Sequence, residues 1–484
     1  MARLPHRIAR GRAALCTALA VGLLAGCAVP DVDTSIERAG AAGAPQLHGT
    51  SGPLSAEESA AILTKLGAGG DSAEGRALAA HLAIEEAVAG NPLTADNRVH
   101  VLANGAAAFR EISALIRGAR HSVNMEYYTI ENVVLDDNLA LLDLLLAKRS
   151  QGVAVNMIYD SYGSSDTPAA FFEQLRAAGV NLLSFHPIVP GNLRNFNNRD
   201  HRKILVVDGE IAILGGVNLS HSYESKAPFS GTHEERAEDR ETLGEALGLV
   251  TALPNFWLDT AVRIDGPVVA QAQTLFRDHW KSEEGPPLDE TGFFPALQPQ
   301  GQAVVRVIGS TPEQEISRYY VTVVSAMRNA QSRIWLSAAY FVPTQAEKDA
   351  LIEAARRGVD VRLLVPGESD SEKAVRVGET HYLDLLQAGV NIWQARGVVL
   401  HSKCAMIDGV WSVIGSSNFD HRSVLFNDEV DAVILGRETA AELEQVFTEA
   451  TEPALKLDAE TWAETRPMGE RVRGFFAGFW EKQL

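Results

Sequence analysis

The chain has 484 residues, of which 46% are hydrophobic and 22% charged, and its formal net charge is −19. The composition is that of a soluble globular protein, and the length exceeds one average domain, so we expect two core-bearing units. The acidic balance argues against a protein that grips nucleic acid through a broad basic face, although a local basic patch is compatible with it.

The first residues predict a secretory signal. An apolar run at 13–24, too short to span a bilayer comfortably, follows Arg3, Arg7, Arg10 and Arg12. It ends in Leu24-Ala25-Gly26-Cys27, which resembles the lipobox of bacterial lipoproteins. We therefore expect residues 1–26 to be removed and Cys27 to carry a lipid. An uncleaved anchor, or an ordinary signal peptide with an incidental cysteine, is the alternative.

The residue after Cys27 is Ala28 rather than aspartate. In Gram-negative lipoproteins this implies sorting to the outer membrane, with the globular part in the periplasm. Without the four arginines of residues 1–26, 39 basic residues face 62 acidic ones, a net charge of −23. Cys16 leaves with the signal and Cys27 is lipidated, so Cys404 stands alone and we expect no disulfide framework.

Two segments precede the main fold. Residues 27–52 are rich in Ala, Gly and Pro and predict a flexible tether. Residues 53–97 predict a helical segment, because Ser55 and Glu58 form a capping box before an apolar run and 72–89 is rich in alanine.

From Arg98 the pattern turns α/β, and it then repeats. The first series predicts strand 98–103, helix 106–119, strand 121–130, helix 135–151, strand 153–159, helix 167–178 and strand 180–184. The second series predicts strand 303–308, helix 312–330, strand 332–337, helix 344–357, strand 359–365, helix 373–388 and strand 390–394. An internal duplication is the simplest explanation.

This pattern predicts an α/β fold of two similar lobes, each a mostly parallel sheet flanked by helices. We expect lobe 1 at 98–285, a proline-rich linker at 286–300, lobe 2 at 301–450 and an amphipathic tail at 451–484. Five apolar residues of the tail have helical spacing: Val472, Phe475, Phe476, Phe479 and Trp480. They predict either a helix at the membrane interface or a helix packed against lobe 2.

A His-x-Lys-x4-Asp motif occurs once in each lobe. It consists of His201, Lys203 and Asp208 in lobe 1, and of His401, Lys403 and Asp408 in lobe 2. At the same spacing beyond each aspartate lie Asn218 and Asn418. On a strand, His and Lys at positions i and i+2 point to the same face.

An anion fits these motifs better than a metal. A lysine beside the histidine repels a cation, and no second His or Cys stands at ligand spacing, so we expect no metal and no cofactor. Two lysines and two asparagine amides can instead donate to the non-bridging oxygens of one phosphate.

The doubled motif resembles that of the phospholipase D superfamily, in which two similar lobes face each other across one active site. The likeness covers roughly residues 98–450. Within the superfamily the chain is most similar to bacterial cardiolipin synthases, through three segments: Met125-Glu126-Tyr127-Tyr128-Thr129-Ile130-Glu131-Asn132, Asn198-Arg199-Asp200-His201-Arg202-Lys203 and Gly415-Ser416-Ser417-Asn418-Phe419-Asp420. Members of that family carry two N-terminal membrane helices, where this chain has a lipoprotein signal.

The resemblance implies a two-step transfer without a metal. It implies His201 as the nucleophile, through a phosphohistidine, and His401 as the general acid and base, although the symmetry also permits the reverse. Lys203, Lys403, Asn218 and Asn418 would then stabilise the transition state.

Family position further implies that one carboxylate orients each histidine, Glu429 serving His401 and Asp259 serving His201. We expect Asp208 and Asp408 to be structural. Arg199 and Arg202, with Arg194, would either draw anionic headgroups into the cleft or form a solvated face.

The expected function is therefore that of a cardiolipin synthase-like phosphatidyltransferase. Its expected partners are a membrane surface and phospholipids: phosphatidylglycerol, with phosphatidylethanolamine as a second candidate. Hydrolysis to phosphatidic acid is the alternative from the same chemistry. A periplasmic nuclease is disfavoured by charge and anchor, and a non-catalytic lipid-binding lipoprotein by the two intact motifs. The sequence does not indicate an oligomeric state.

Overall fold

The computed structural model describes residues 29–40, 43–136, 139–187, 197–224 and 256–465. The predicted signal 1–26, Cys27, Arg194 and the five apolar tail residues lie outside these ranges. Within them, every helix is too short or too polar to cross a bilayer.

The N-terminal region folds onto the body. Its elements are α1 (Val32–Ala39), β1 (His48–Gly49), β2 (Gly52–Pro53), α2 (Ala56–Leu66) and α3 (Ala73–Val88). The capping box at the start of α2 is confirmed: Ser55 Oγ accepts from the backbone N–H of Glu58 at 3.2 Å, and Glu58 accepts from the N–H of Ser55 at 2.9 Å.

Residues 29–40 and 43–52, which the structure describes, differ from the flexible tether that we predict. Helix α1 begins after Asp31, whose carboxylate accepts from the N–H of Thr34 at 2.8 Å. Val32 and Leu47 are buried in the same hydrophobic core as lobe 2. Burying these two side chains favours order by roughly 1.5–3 kcal/mol each, an effect that the Ala- and Gly-rich composition conceals.

Lobe 1 is an α/β unit. Its elements are β3 (Thr94–Leu102), α4 (Gly105–Gly118), β4 (Ser122–Tyr127), β5 (Val134–Asp136), β6 (Leu139–Ala140), α5 (Leu141–Ser150), β7 (Ala154–Asp160), α6 (Ala169–Ala177), β8 (Asn181–Phe185), β9 (Arg199–Asp200), β10 (Lys203–Val207), β11 (Ile211–Gly215), a short 3-10 turn (His221–Tyr223), β12 (Trp257–Leu258), β13 (Ala261–Asp265) and α7 (Val269–Ser282).

Lobe 2 repeats this series after the irregular, proline-rich residues 286–300. Its elements are β14 (Ala303–Ser310), α8 (Arg318–Asn329), β15 (Arg333–Ala338), α9 (Gln345–Arg356), β16 (Asp360–Glu368), α10 (Glu372–Gly378), α11 (Tyr382–Gln387), β17 (Asn391–Leu400), β18 (Lys403–Ile407), β19 (Trp411–Gly415), α12 (His421–Leu425), β20 (Asn427–Leu435), α13 (Arg437–Thr451), β21 (Leu455–Lys456) and α14 (Ala459–Thr465).

The duplication extends to strand order. Lobe 1 has the order β3-β13-β11-β10-β4-β7-β8, and lobe 2 has the equivalent order β14-β20-β19-β18-β15-β16-β17. The equivalent edge strands β3 and β14 pair with each other and join the two sheets. The predicted α/β class with two similar lobes is confirmed.

The sheets are mixed rather than mostly parallel, which corrects one part of the prediction. Within these two seven-strand orders, β4-β7-β8 and β15-β16-β17 run parallel, because these strands are connected by helices, and the other neighbours are antiparallel. The motif strands turn back directly as hairpins, β10 with β11 and β18 with β19, and a tight hairpin can join only antiparallel strands.

Both faces of the motif strands are buried. In β10, Leu205 and Val207 pack inside lobe 1, while Ile204 and Val206 belong to a core shared with lobe 2. Cys404 and Met406 of β18 enter the same shared core. The continuous apolar runs are explained by this double burial. Burial raises the pKa of the free Cys404 thiol to about 12, so it serves as a packing group.

Candidate active site

A tight turn ends each motif strand, and the motif aspartate holds it. Asp208 and Gly209 have φ angles of 54° and 64°, and Asp408 and Gly409 have 52° and 64°, which are the values of a type I′ turn. The Asp208 carboxylate accepts from the N–H groups of Arg120, His121 and Ser122 at 2.7–2.9 Å.

Asp408 accepts in the same way from the N–H groups of Gln331, Ser332 and Arg333, also at 2.7–2.9 Å. Each aspartate therefore ties its hairpin to the neighbouring strand, β4 or β15. Neither lines the cavity that contains the histidines.

Two short parallel strand pairs cross between the lobes beside the histidines. In the first, Asp200 pairs with Asp428, and the N–H of His201 donates to Asp428 O at 2.9 Å. In the second, Leu258 pairs with Leu400, and the N–H of His401 donates to Leu258 O at 2.7 Å. The register thus places Glu429 beside His201 and Asp259 beside His401.

The histidine–carboxylate pairs are therefore crossed, and the predicted pairing within each lobe is wrong. His201 Nδ1 lies 3.0 Å from Glu429 Oε2, and His401 Nδ1 lies 2.6 Å from Asp259 Oδ2. Within lobe 2, strand β19 lies between the motif strand β18 and β20, which carries Glu429. Within lobe 1, strand β11 lies between the motif strand β10 and β13, which follows Asp259. Two strand spacings, about 10 Å, exceed hydrogen-bonding reach.

Each carboxylate has further donors, which the sequence did not reveal. Glu429 accepts from Ser416 Oγ at 2.5 Å, Ser423 Oγ at 2.8 Å and Asn427 Nδ2 at 3.2 Å. Asp259 accepts from Tyr223 Oη at 3.2 Å and from the N–H of Thr260 at 2.8 Å. Because Tyr223 and Ser423 each lie five residues beyond the motif asparagine, the internal repeat was the available signal for these positions.

Electrostatics hold the two acids ionised. Burial alone raises the pKa of Glu429 and Asp259, but the positive and hydrogen-bonding groups around them outweigh it and leave both pKa values below the ordinary range. Those groups are chiefly His201 and Lys203 for Glu429, and Lys403 and His401 for Asp259. A carboxylate at Nδ1 leaves Nε2 of His201 to face the cavity, whereas Lys403 Nζ lies 3.3 Å from Nε2 of His401.

The pKa values of the imidazoles and ammonium groups are also lowered, which for these bases disfavours the charged form. Burial lowers the pKa of His201 to about 4, and it also lowers the pKa of His401, aided by Lys403. Burial, with the charge of Lys403, lowers the pKa of Lys203 to about 7, although Glu429 opposes the fall. Lys203 Nζ donates to His201 O at 2.6 Å, and Lys403 Nζ to His401 O at 2.5 Å.

One cavity of about 440 Å³ unites both halves of the site. It brings together five predicted residues, His201, His401, Asn218, Asn418 and Arg199. Lys203 and Lys403 do not line the cavity: both are buried, and each ammonium donates to the backbone carbonyl of its motif histidine. Further residues line the cavity that the motifs do not predict: Tyr128, Tyr162, Tyr223, Trp257, Tyr340, Asp370 and Arg422.

Arg202 does not line the cavity, which corrects its predicted role in substrate binding. It is 1% exposed and forms ion pairs with Glu126 and Asp428, both at 3.2 Å. Position 202 has the parity of Ile204 and Val206, which point into the core shared by the lobes, so Arg202 points there too.

Glu126, the ion-pair partner of Arg202, also belongs to a group of three residues that offers ligand atoms for a metal. Oxygen and nitrogen atoms of Glu126, Asp200 and His279 lie within 4.8 Å of one another. The Arg202 guanidinium already pairs with Glu126. Glu126 also raises the pKa of His279 to about 9 against the effect of burial. These two positive charges compensate the acids, so the cluster fits a metal poorly.

A duplicated α/β fold that brings one histidine from each lobe to a shared cavity, each with a motif lysine beside it, defines the phospholipase D-like class. The family described as "Cardiolipin synthase, PLD-like domain" matches residues 112–227 and 323–451. The chain belongs to this cardiolipin synthase family.

Its relatives include a cardiolipin synthase of Geobacillus kaustophilus, 32% identical over 389 residues that cover 79% of this chain and 71% of the relative. Cardiolipin synthase A of Pseudomonas fluorescens is 33% identical over 390 residues, covering 79% and 74% respectively. The fold is similar to that of a phosphatidylserine synthase of Haemophilus influenzae, with a TM-score of 0.59 at 13% identity, covering 85% of this chain and 99% of that one.

Proposed function

We propose that the chain is a cardiolipin synthase-like phosphatidyltransferase that acts on membrane phospholipids through a phosphohistidine. The observation that carries the proposal is that two histidines, each coupled to a buried carboxylate and adjacent to a buried lysine, line one cavity. Family membership supports the lipid substrate, with phosphatidylglycerol as the expected acceptor.

In the first step, neutral His201 attacks phosphorus through Nε2. A P–N bond forms, the bond from phosphorus to the alcohol oxygen breaks, and His401 gives that oxygen its proton. Glu429 stabilises the positive charge that develops on the His201 ring. The attacking ring must be unprotonated, and the lowered pKa of His201 suits it to this role.

In the second step, His401 takes the proton of the incoming lipid hydroxyl, whose oxygen attacks the phosphohistidine. The P–N bond breaks and His201 is regenerated. Lys203, Lys403, Asn218 and Asn418 would donate to the charged equatorial oxygens in both steps. An anionic diester between the lysines also favours protonated His401, so binding prepares the acid of the first step.

Position at the membrane forms part of the proposal. We infer that Cys27 carries a lipid and that the protein lies on the periplasmic side of the outer membrane. We also propose that the two lobes extend over about 98–285 and 301–450. Val32 is buried in the body and is separated from Cys27 by only a short segment. A lipid on Cys27 would therefore hold the body within about 20 Å of the lipid headgroups. Mass spectrometry of the mature N-terminus tests this, and an unmodified Cys27 contradicts it.

Turnover of labelled phosphatidylglycerol tests the proposed reaction. The purified protein is expected to form cardiolipin and release glycerol, and His201→Ala is expected to lower the rate by about 10⁴-fold or more. His100→Ala is the matched control, because His100 is exposed and lies outside the cavity.

Unchanged turnover in His201→Ala would overturn the proposed mechanism in favour of lipid binding without catalysis. Phosphatidic acid without cardiolipin would replace transfer by hydrolysis, and digestion of DNA without lipid would restore the nuclease. A phosphoryl group found on His401 rather than His201 would reverse the two roles.

The lowered pKa of Lys203 predicts that the activity depends on pH. Lys203 carries its charge below a pKa of about 7, so kcat/KM should fall as pH rises through that value. The anionic substrate stabilises the ammonium, so the corresponding fall in kcat should lie at higher pH. In Lys203→Arg the guanidinium stays protonated, and the alkaline fall in kcat/KM near pH 7 should disappear at a reduced maximal rate.

Lys281→Arg is the control for this profile, since Lys281 is exposed and pairs with Glu290 away from the cavity. The pH dependence of kcat/KM is measured for all three proteins. If Lys203→Arg keeps the same alkaline limb as the wild type, the assignment to Lys203 is wrong.

A further inference from the structure

The two ends of the cavity differ in charge although the motifs are duplicated. Tyr128 stacks edge-on against His201 with ring centroids 5.2 Å apart, and two arginines lie at this end. Arg199 donates to Asn198 O at 2.7 Å, and Arg422 to Asn197 O at 3.0 Å, so both guanidinium groups lie on the segment that leads into His201.

The His401 end is aromatic and acidic. The rings of Trp257 and Tyr340 lie 5.0 Å and 5.9 Å from that of His401. Tyr340 Oη donates to Asp370 at 2.7 Å, and Ser369 Oγ donates to the same carboxylate at 3.1 Å. Asp370 is exposed and lines the cavity, and its negative charge acts on both His401 and Lys403.

The part of the substrate that lies at the His401 end depends on which histidine attacks phosphorus. The assignment therefore rests on the proposed function, in which His201 attacks. If His201 attacks, the departing oxygen lies opposite the attacking nitrogen, next to His401, which protonates it. The alcohol part of the donor, and later the hydroxyl part of the acceptor, therefore lie between His401, Trp257 and Tyr340, facing Asp370.

We propose that Asp370, held by Tyr340, is the specificity-determining residue of a headgroup subsite at the His401 end. A carboxylate there accepts hydrogen bonds from an alcohol that bears a second hydroxyl or an ammonium group, and it repels a headgroup that bears a carboxylate. Glycerol and ethanolamine headgroups share the favoured chemistry. A serine headgroup carries the disfavoured charge.

The test compares headgroup release from phosphatidylglycerol, phosphatidylethanolamine and phosphatidylserine, each in mixed detergent micelles. The wild type should favour the first two over phosphatidylserine in kcat/KM. In Asp370→Asn the preference for glycerol over serine should fall by about tenfold, the size of one lost charge-assisted hydrogen bond, and the absolute rate with phosphatidylserine should rise. A gain of rate with one substrate is not produced by misfolding.

Glu372→Gln is the matched control, because Glu372 is exposed two residues away and does not line the cavity. A larger loss for ethanolamine than for glycerol in Asp370→Asn would assign the contact to an ammonium, and equal losses would assign it to hydrogen bonding. An unchanged preference in Asp370→Asn would overturn the subsite while leaving the proposed function intact. Release of no headgroup by the wild type would contradict the proposed function itself.

Discussion

The active site depends on two short parallel strand pairs that cross between the lobes. Arg199–Asp200 pairs with Asn427–Asp428, and Trp257–Leu258 pairs with Val399–Leu400. Each pair fixes one backbone register, and the next residue on each side is a histidine or its carboxylate. A one-residue slip would turn these side chains to opposite faces. Neither motif histidine has its carboxylate partner in its own lobe, so the site exists only when the lobes are joined.

The cost of this arrangement is a large amount of buried charge. Two lysines, two carboxylates and two imidazoles lie out of water around one cavity, and each such ion carries a desolvation penalty of several kcal/mol unless it is compensated. Compensation is incomplete for the lysines, whose charged forms are disfavoured and whose pKa values fall. It is complete for Glu429 and Asp259, because the groups around them outweigh burial and hold their pKa values below the ordinary range. An anionic phosphate would supply the missing negative charge, so the site is suited to that ligand.

Much of the fold and the centre of the site could be predicted from the sequence. The duplication, the order of strands and helices, and the convergence of His201 and His401 on one cavity follow from a repeated pattern with 200 residues between its copies. Local patterns also gave the capping box of Ser55 and Glu58. These features are encoded in short windows or in the repeat itself.

The failures concern contacts between distant segments. Nothing local shows that the strand carrying Glu429 pairs with the segment before His201, so the couples were assigned within lobes. Arg202 lies close to Arg199 in the sequence and is also an arginine. Its position along the strand, however, points its side chain into the core between the two lobes. Asp370, Tyr340 and Arg422 carry no motif, and only the folding of distant segments brings them to the cavity beside the motif residues. Helix α1 was missed because its order comes from packing on lobe 2.

The crossed couples are tested most directly by the ¹⁵N NMR signals of the two imidazoles, assigned with His201→Gln and His401→Gln. Glu429→Gln should shift the Nδ1 signal of His201 and leave that of His401 in place, and Asp259→Asn should do the reverse. If Glu429→Gln instead perturbs His401 and Asp259→Asn perturbs His201, each lobe holds its own couple and the site is not assembled across the interface.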